Sequence, residues 1–283
     1  MSQWHTLLLG VIAGASIFAG LPLGRMRRLH AGQRQFLNAL AVGILAFLLW
    51  DVLAHAWAPL DGALGDVHEG DAGVGPVFGY GSLFFGGLGV GLMSLAYYGR
   101  WLERRGEPVA FGPGAMAAGE LAARRRPFAD WPAARRLALL IATGIGLHNF
   151  GEGLAIGGSA AAGEISLATI LMIGFALHNA TEGFGIVAPL AAAGERPSWR
   201  FLAVMGTIGG GPTLLGTAVG RQFTSDAMSV LFLTLAAGSI LYVIVQLLGV
   251  AHRAGRSEVL YWGLLAGLAA GFLTDMVVTA GGA

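Results

Sequence analysis

His148-Asn149-Phe150-Gly151-Glu152-Gly153 is followed thirty residues later by His178-Asn179-Ala180-Thr181-Glu182-Gly183, and each copy lies in the middle of a long apolar run. Ionisable side chains are expensive inside a bilayer, and where they occur they mark function. At about 100° per residue, His148 and Glu152 lie about 40° apart around a helix and one turn apart along it, so both reach one point. His178 and Glu182 repeat that geometry, with Asn149 and Asn179 on the flank of each face. Two such helices packed together bring two imidazoles, two carboxylates and two amide oxygens to one spot. That donor set suits Zn²⁺, Fe²⁺, Mn²⁺ or Cd²⁺; Cu⁺ would want sulfur. A buried histidine bonded to a carbonyl, or a glutamate in a structural ion pair, would explain one copy. Helix packing alone has no need to repeat four identities.

The surroundings set the class. Of 283 residues, 55% are hydrophobic and 12% charged, and mean hydropathy is +0.68. That composition belongs to a polytopic membrane protein. The 47 glycines suit close helix packing in lipid. Cysteine is absent, which excludes disulfides and thiolate ligation. A net charge of +1 gives no reason to expect a nucleic-acid partner. All the basic residues are arginine, a preference for which we have no physical account.

Apolar runs of about 20 residues, enough to span a bilayer, fall at Trp4–Gly24, Phe36–Ala58, Val77–Gly99, Leu137–Ala160, Ser166–Ala192, Trp199–Gly220, Ala227–Ala251 and Val259–Gly281. The first lacks a preceding positive cluster, since Arg25, Arg27 and Arg28 follow it, so it reads as a retained helix with its N-terminus outside. Sixteen of the 17 arginines then fall in the loops after spans one, three, five and seven, leaving Arg221 alone on the other side. Eight spans with both termini extracytoplasmic satisfy the positive-inside rule. The expected protein is all-α, one multi-pass domain over residues 1–283 in the cytoplasmic (inner) membrane.

Outside the central pair, several stretches carry weaker signals. Asp61 to Asp71 holds four acids and one histidine and reads as an external loop able to concentrate cations. Asp51 and His55, spaced i, i+4 near the outer end of span two, are candidates for a first metal contact at the mouth. Residues 101–136 read as a cytoplasmic loop, with a short helix around Ala115–Arg125. Gly209-Gly210-Gly211-Pro212 predicts a kink or break in span six. Gly263, Gly267 and Gly271 form a close-packing stripe in span eight, facing another helix or another subunit.

Together these residues resemble the Zrt-/Irt-like, or ZIP, family of divalent-metal transporters. The carriers are the two His-Asn-x-x-Glu-Gly motifs, the second followed by Ala188-Pro189-Leu190. The resemblance implies a bundle in which spans one to three and six to eight are inverted repeats around spans four and five, often assembled as a homodimer. It also implies that His148, Asn149, Glu152, His178, Asn179 and Glu182 are transport-site ligands. Some prokaryotic relatives hold a second ion with a carboxylate from span six and use a methionine in span two. The counterparts here are Gly211 and Leu45, so a single-ion site is expected.

The function expected is import of a divalent cation, foremost Zn²⁺, through a mid-membrane site by alternating access with proton coupling. The metal is cargo, and no prosthetic group is called for. A rival class is an intramembrane zinc-dependent hydrolase; it would need a dedicated acid or base, and neither symmetric motif supplies one. A metal-independent permease is a second rival.

Overall fold

The computed structural model describes residues 2–26, 30–106, 131–222, 225–252 and 257–280, and among these every regular element is a helix. Eight helices are long and apolar enough to cross a membrane. They are α1 (Gln3–Arg25), α2 (Ala31–Glu69), α3 (Gly75–Gly106), α4 (Ala133–Ala161), α5 (Ile165–Ala192), α6 (Trp199–Gly220), α7 (Asp226–His252) and α8 (Ser257–Ala280). All eight expected spans are present. The short helix expected around Ala115–Arg125 falls outside the described residues.

Three boundaries differ from the sequence reading. The acidic stretch after Pro59 continues α2 as helix through Glu69 and ends where Gly70 adopts a φ of 82°. Its charges end an apolar window, but nothing between Pro59 and Gly70 stops a helix, and the amide of Asp71 returns to the Asp66 carbonyl at 2.9 Å. The break expected at Gly209–Pro212 is absent, and α6 runs unbroken through Pro212. Instead α1 is interrupted: helix Gln3–Ala15 stops at Ser16, then Ile17–Gly20 and a 3₁₀ turn Leu21–Arg25 complete the crossing. The Ser16 hydroxyl donates to the Ala13 carbonyl at 2.7 Å.

The glycines of α6 serve contact. A Cβ placed on Gly210 would lie 2.1 Å from the Gly14 carbonyl oxygen, and one on Gly14 would lie 2.2 Å from that of Gly210. Only hydrogen fits between these backbones. The same relation recurs at matched positions. Gly20 of α1 lies over Ala180 of α5 as Gly216 of α6 lies over Phe150 of α4, each leaving 2.0 Å to the opposing carbonyl. Gly183 meets Ile17 as Gly153 meets Thr213, both at 2.1 Å. Gly43 of α2 packs on Leu264 and Gly267 of α8 as Gly238 of α7 packs on Leu88 and Gly91 of α3. The Gly263–Gly271 stripe therefore faces α2.

Those matches define the internal repeat. Exchanging α1 with α6, α2 with α7, α3 with α8 and α4 with α5 carries the packing pattern onto itself: α4 on α6 becomes α5 on α1, α2 on α8 becomes α7 on α3, and α4 on α7 becomes α5 on α2. Five crossings separate the copies in the first three pairs and one crossing those in the last, an odd number each time, so the copies run in opposite senses. The packing also groups the helices across the repeats: α1 and α6 pack against α4, α5 and each other, while α2, α3, α7 and α8 form a second body. The bodies meet chiefly through α4 on α7 and α2 on α5. On the outer faces, Phe78 and Phe85 of α3 and Trp262 and Leu273 of α8 are exposed, as lipid-facing side chains must be.

Candidate metal centre

The two repeated motifs meet where α4 crosses α5. The i, i+4 spacing carries Nε2 of His148 to 2.9 Å from Oε1 of Glu152. Nε2 of His178, from the other helix, meets the same oxygen. The ring centroids of the two histidines are 6.3 Å apart. His148, Glu152 and His178 thus offer donor atoms within 4.8 Å of one another, the one such group of three or more among the described residues. Oε1 of Glu182 stands 3.8 Å from Nε2 of His148. The cluster is deep: His148, Glu152 and Glu182 are buried, and the His178 side chain is 10% exposed.

The asparagines are held by their nitrogens. Nδ2 of Asn149 donates to the Gly209 carbonyl of α6 at 3.0 Å. Nδ2 of Asn179 donates to the Ala13 carbonyl of α1 at 3.0 Å and to Oε2 of Glu152 at 3.3 Å. Ala13 and Gly209 are repeat mates, so this too is one interaction made twice. With both amide nitrogens committed, Oδ1 of each asparagine and both carboxylate oxygens of Glu182 are buried without a hydrogen-bond partner. Buried oxygen acceptors left unsatisfied are costly. Four of them beside two imidazoles and a second carboxylate make a site whose chemistry calls for a cation.

A cavity of about 280 Å³ is lined by Asp51 and His55 as well as by His148 and Glu152. The sequence-expected mouth pair therefore opens onto the central cluster, with Nδ1 of His55 3.4 Å from Oδ1 of Asp51. A second cavity, about 520 Å³, lies at the opposite end of α2, α4, α5 and α7 and is lined by Arg34, Asn38, Leu137, Pro189 and Val250. None of the six central side chains reaches it. Leu45, Ile145, Ile186 and Ile240 lie between along their helices, all fully buried, and close the route.

Leu45 is core and Gly211 has no side chain, so neither supplies a donor for a second ion. What sequence reasoning missed is the backbone of α1 and α6: the carbonyls of Ala13 and Gly209 hold the asparagines. It also missed a clamp on the loop between α5 and α6. Arg25 donates to the Pro197 carbonyl, Arg34 donates to that of Ala191 at 2.6 Å, and Arg135 pairs with Glu195. Read from sequence, these arginines were only a topology signal.

A sequence model of the family described as ZIP Zinc transporter matches residues 125–275, more than half of the chain, including both motifs. No curated protein matches the chain.

Proposed function

This chain belongs to the ZIP zinc transporter family, and from that membership and the buried donor cluster we propose that it imports Zn²⁺ into the cytoplasm through the α4–α5 site. Members of the family are transporters and not enzymes, so the coarse function, movement of a divalent metal across a membrane, stands with the membership. The observation that carries the finer reading is the convergence of His148, Glu152 and His178 with the unpartnered oxygens of Glu182, Asn149 and Asn179. In this reading all six are ligands of a single ion, with Asp51 and His55 as its first contact.

Mixed nitrogen and oxygen donors favour Zn²⁺ and tolerate Fe²⁺, Mn²⁺ and Cd²⁺. The arginine distribution supports an inner membrane location with the Arg34 end in the cytoplasm and both termini outside. Alternating access then consists of the α1/α4/α5/α6 body shifting against α2/α3/α7/α8, so that the apolar layer opens as the Asp51 end closes. Histidine and carboxylate bind metal only without their protons, so loading releases protons and couples their movement to the metal. In this reading the homodimer implied by the resemblance forms across α3, which the open space beside Gly79, Gly86 and Gly89 supports.

The test is uptake of Zn²⁺ into proteoliposomes containing the wild-type chain, Glu152→Ala or Glu182→Ala. Both variants are expected at background. Wild-type rates in both would remove this site from the transport path.

A further inference from the structure

Three arginines from separate segments meet around a third cavity, at the Arg34 end and apart from the central cluster. The 3₁₀ turn that finishes α1 supplies Arg25, the first turn of α2 supplies Arg34, and the loop between α5 and α6 supplies Arg196. The space they line measures about 330 Å³, within the range of about 300–1,000 Å³ in which small-molecule pockets fall. None of the six central side chains lines it.

Positive charge is in excess there. Arg25 and Arg34 are half-buried, and each donates to a neutral backbone carbonyl, that of Pro197 and that of Ala191. Among the described residues neither has a carboxylate partner. Glu195, the acid in the lining, pairs with Arg135. A carbonyl fixes a guanidinium in place but leaves its unit charge unanswered, with further N–H donors to spare. A fixed, planar, weakly hydrated fork is the group that best receives phosphate.

The cavity also lies where the chain enters and leaves the bilayer: α1 and α5 end beside it, and α2 begins there. Trp199 is 61% exposed, with the Arg25 guanidinium 4.6 Å from its ring centroid. Aromatic side chains so placed mark the level of the lipid headgroups.

We propose that this cavity binds the phosphate of one anionic phospholipid between Arg25, Arg34 and Arg196. Because α2 belongs to one helix body and α1 and α5 to the other, the bound headgroup ties the two bodies together at the end where the central cluster is closed off.

The test involves no metal, so its failure leaves the transport reading standing. Thermal unfolding of the delipidated full chain in neutral detergent is followed during titration with phosphatidylglycerol, phosphatidylcholine or inorganic phosphate. Phosphatidylglycerol is expected to raise the wild-type midpoint by about 5 °C at saturation. Phosphatidylcholine, whose choline cation meets the arginines with like charge, and inorganic phosphate, which has no acyl chains to hold it there, should give less than half that rise. Arg196→Gln, at an exposed position, and Arg34→Gln, which retains an N–H donor, should each need about fivefold more phosphatidylglycerol for the half-maximal rise. Arg200→Gln, at an exposed arginine outside the lining, should titrate as the wild type does. The proposal is overturned if phosphatidylglycerol gives no rise, if either comparison ligand matches it, or if Arg200→Gln loses as much as Arg196→Gln, the mark of diffuse surface charge.

Discussion

Asn149 donates its side-chain amide to the carbonyl of Gly209 at 3.0 Å, so α4 is tied, at the depth of the His148–Glu152 cluster, to the backbone of α6. Asn179 ties α5 to Ala13 of α1 in the same way. The proposed function gives both residues two tasks: the oxygen is offered to the ion, and the nitrogen keeps the neighbouring helix attached.

The two tasks separate on substitution. Asn149→Asp keeps the oxygens and loses the N–H, setting a carboxylate against a carbonyl. We expect zinc binding in dialysis to persist while the protein loses about 1–3 kcal/mol of stability and its uptake falls. Asn149→Ala should lose both. Thermal unfolding in detergent beside uptake distinguishes them, and equal behaviour of the two variants would argue against the tether.

Two adjacent glycines of α6, Gly210 and Gly211, should respond unequally to alanine. Gly210→Ala drives a methyl into the Gly14 carbonyl and is expected to cost about 1–3 kcal/mol. At Gly211 the nearest neighbour to a new Cβ is Thr207 Cγ2 at 3.8 Å, and Gly211→Ala should stay within about 0.5 kcal/mol of wild type. Melting midpoints of the two variants in the same detergent decide it.

At the mouth, Asp51→Asn should act on capture alone. We expect the KM for Zn²⁺ to rise about threefold to tenfold with kcat preserved, and the wild-type advantage to shrink as salt is raised. A fall in kcat at unchanged KM would place Asp51 in the translocation step.

The central site should discriminate by donor hardness. In competition uptake, Fe²⁺, Mn²⁺ and Cd²⁺ are expected to inhibit Zn²⁺ transport and Cu⁺ to have little effect, because the cluster offers no sulfur. Inhibition by Cu⁺ that depends on His148 would require a different coordination.

Much of this protein is legible in its sequence, because both the span count and the motif pair are local patterns. His148 and Glu152 need only the helical period to be placed together, and eight apolar runs need only length. What escaped depends on contacts between distant segments. Ser16 looks unremarkable until α1 is seen to break there, opposite its repeat mate Pro212, where the helix continues. Gly209–Gly211 reads as a weak helix in isolation, whereas in the bundle Gly209 and Gly210 form the surface that lets α1 approach. The acids after Pro59 were mistaken for a loop because hydropathy measures solubility in lipid and says nothing of where the backbone stops coiling.

The Gly14–Gly210 contact also constrains biosynthesis. The first crossing leaves the ribosome nearly two hundred residues before its seat on the sixth exists, and it has no substantial packing against the second or third crossing to occupy it meanwhile. Among the described residues its only substantial partners before then are α4 and α5, so a chain halted before α6 would strand the Gly14 face bare to quality-control machinery.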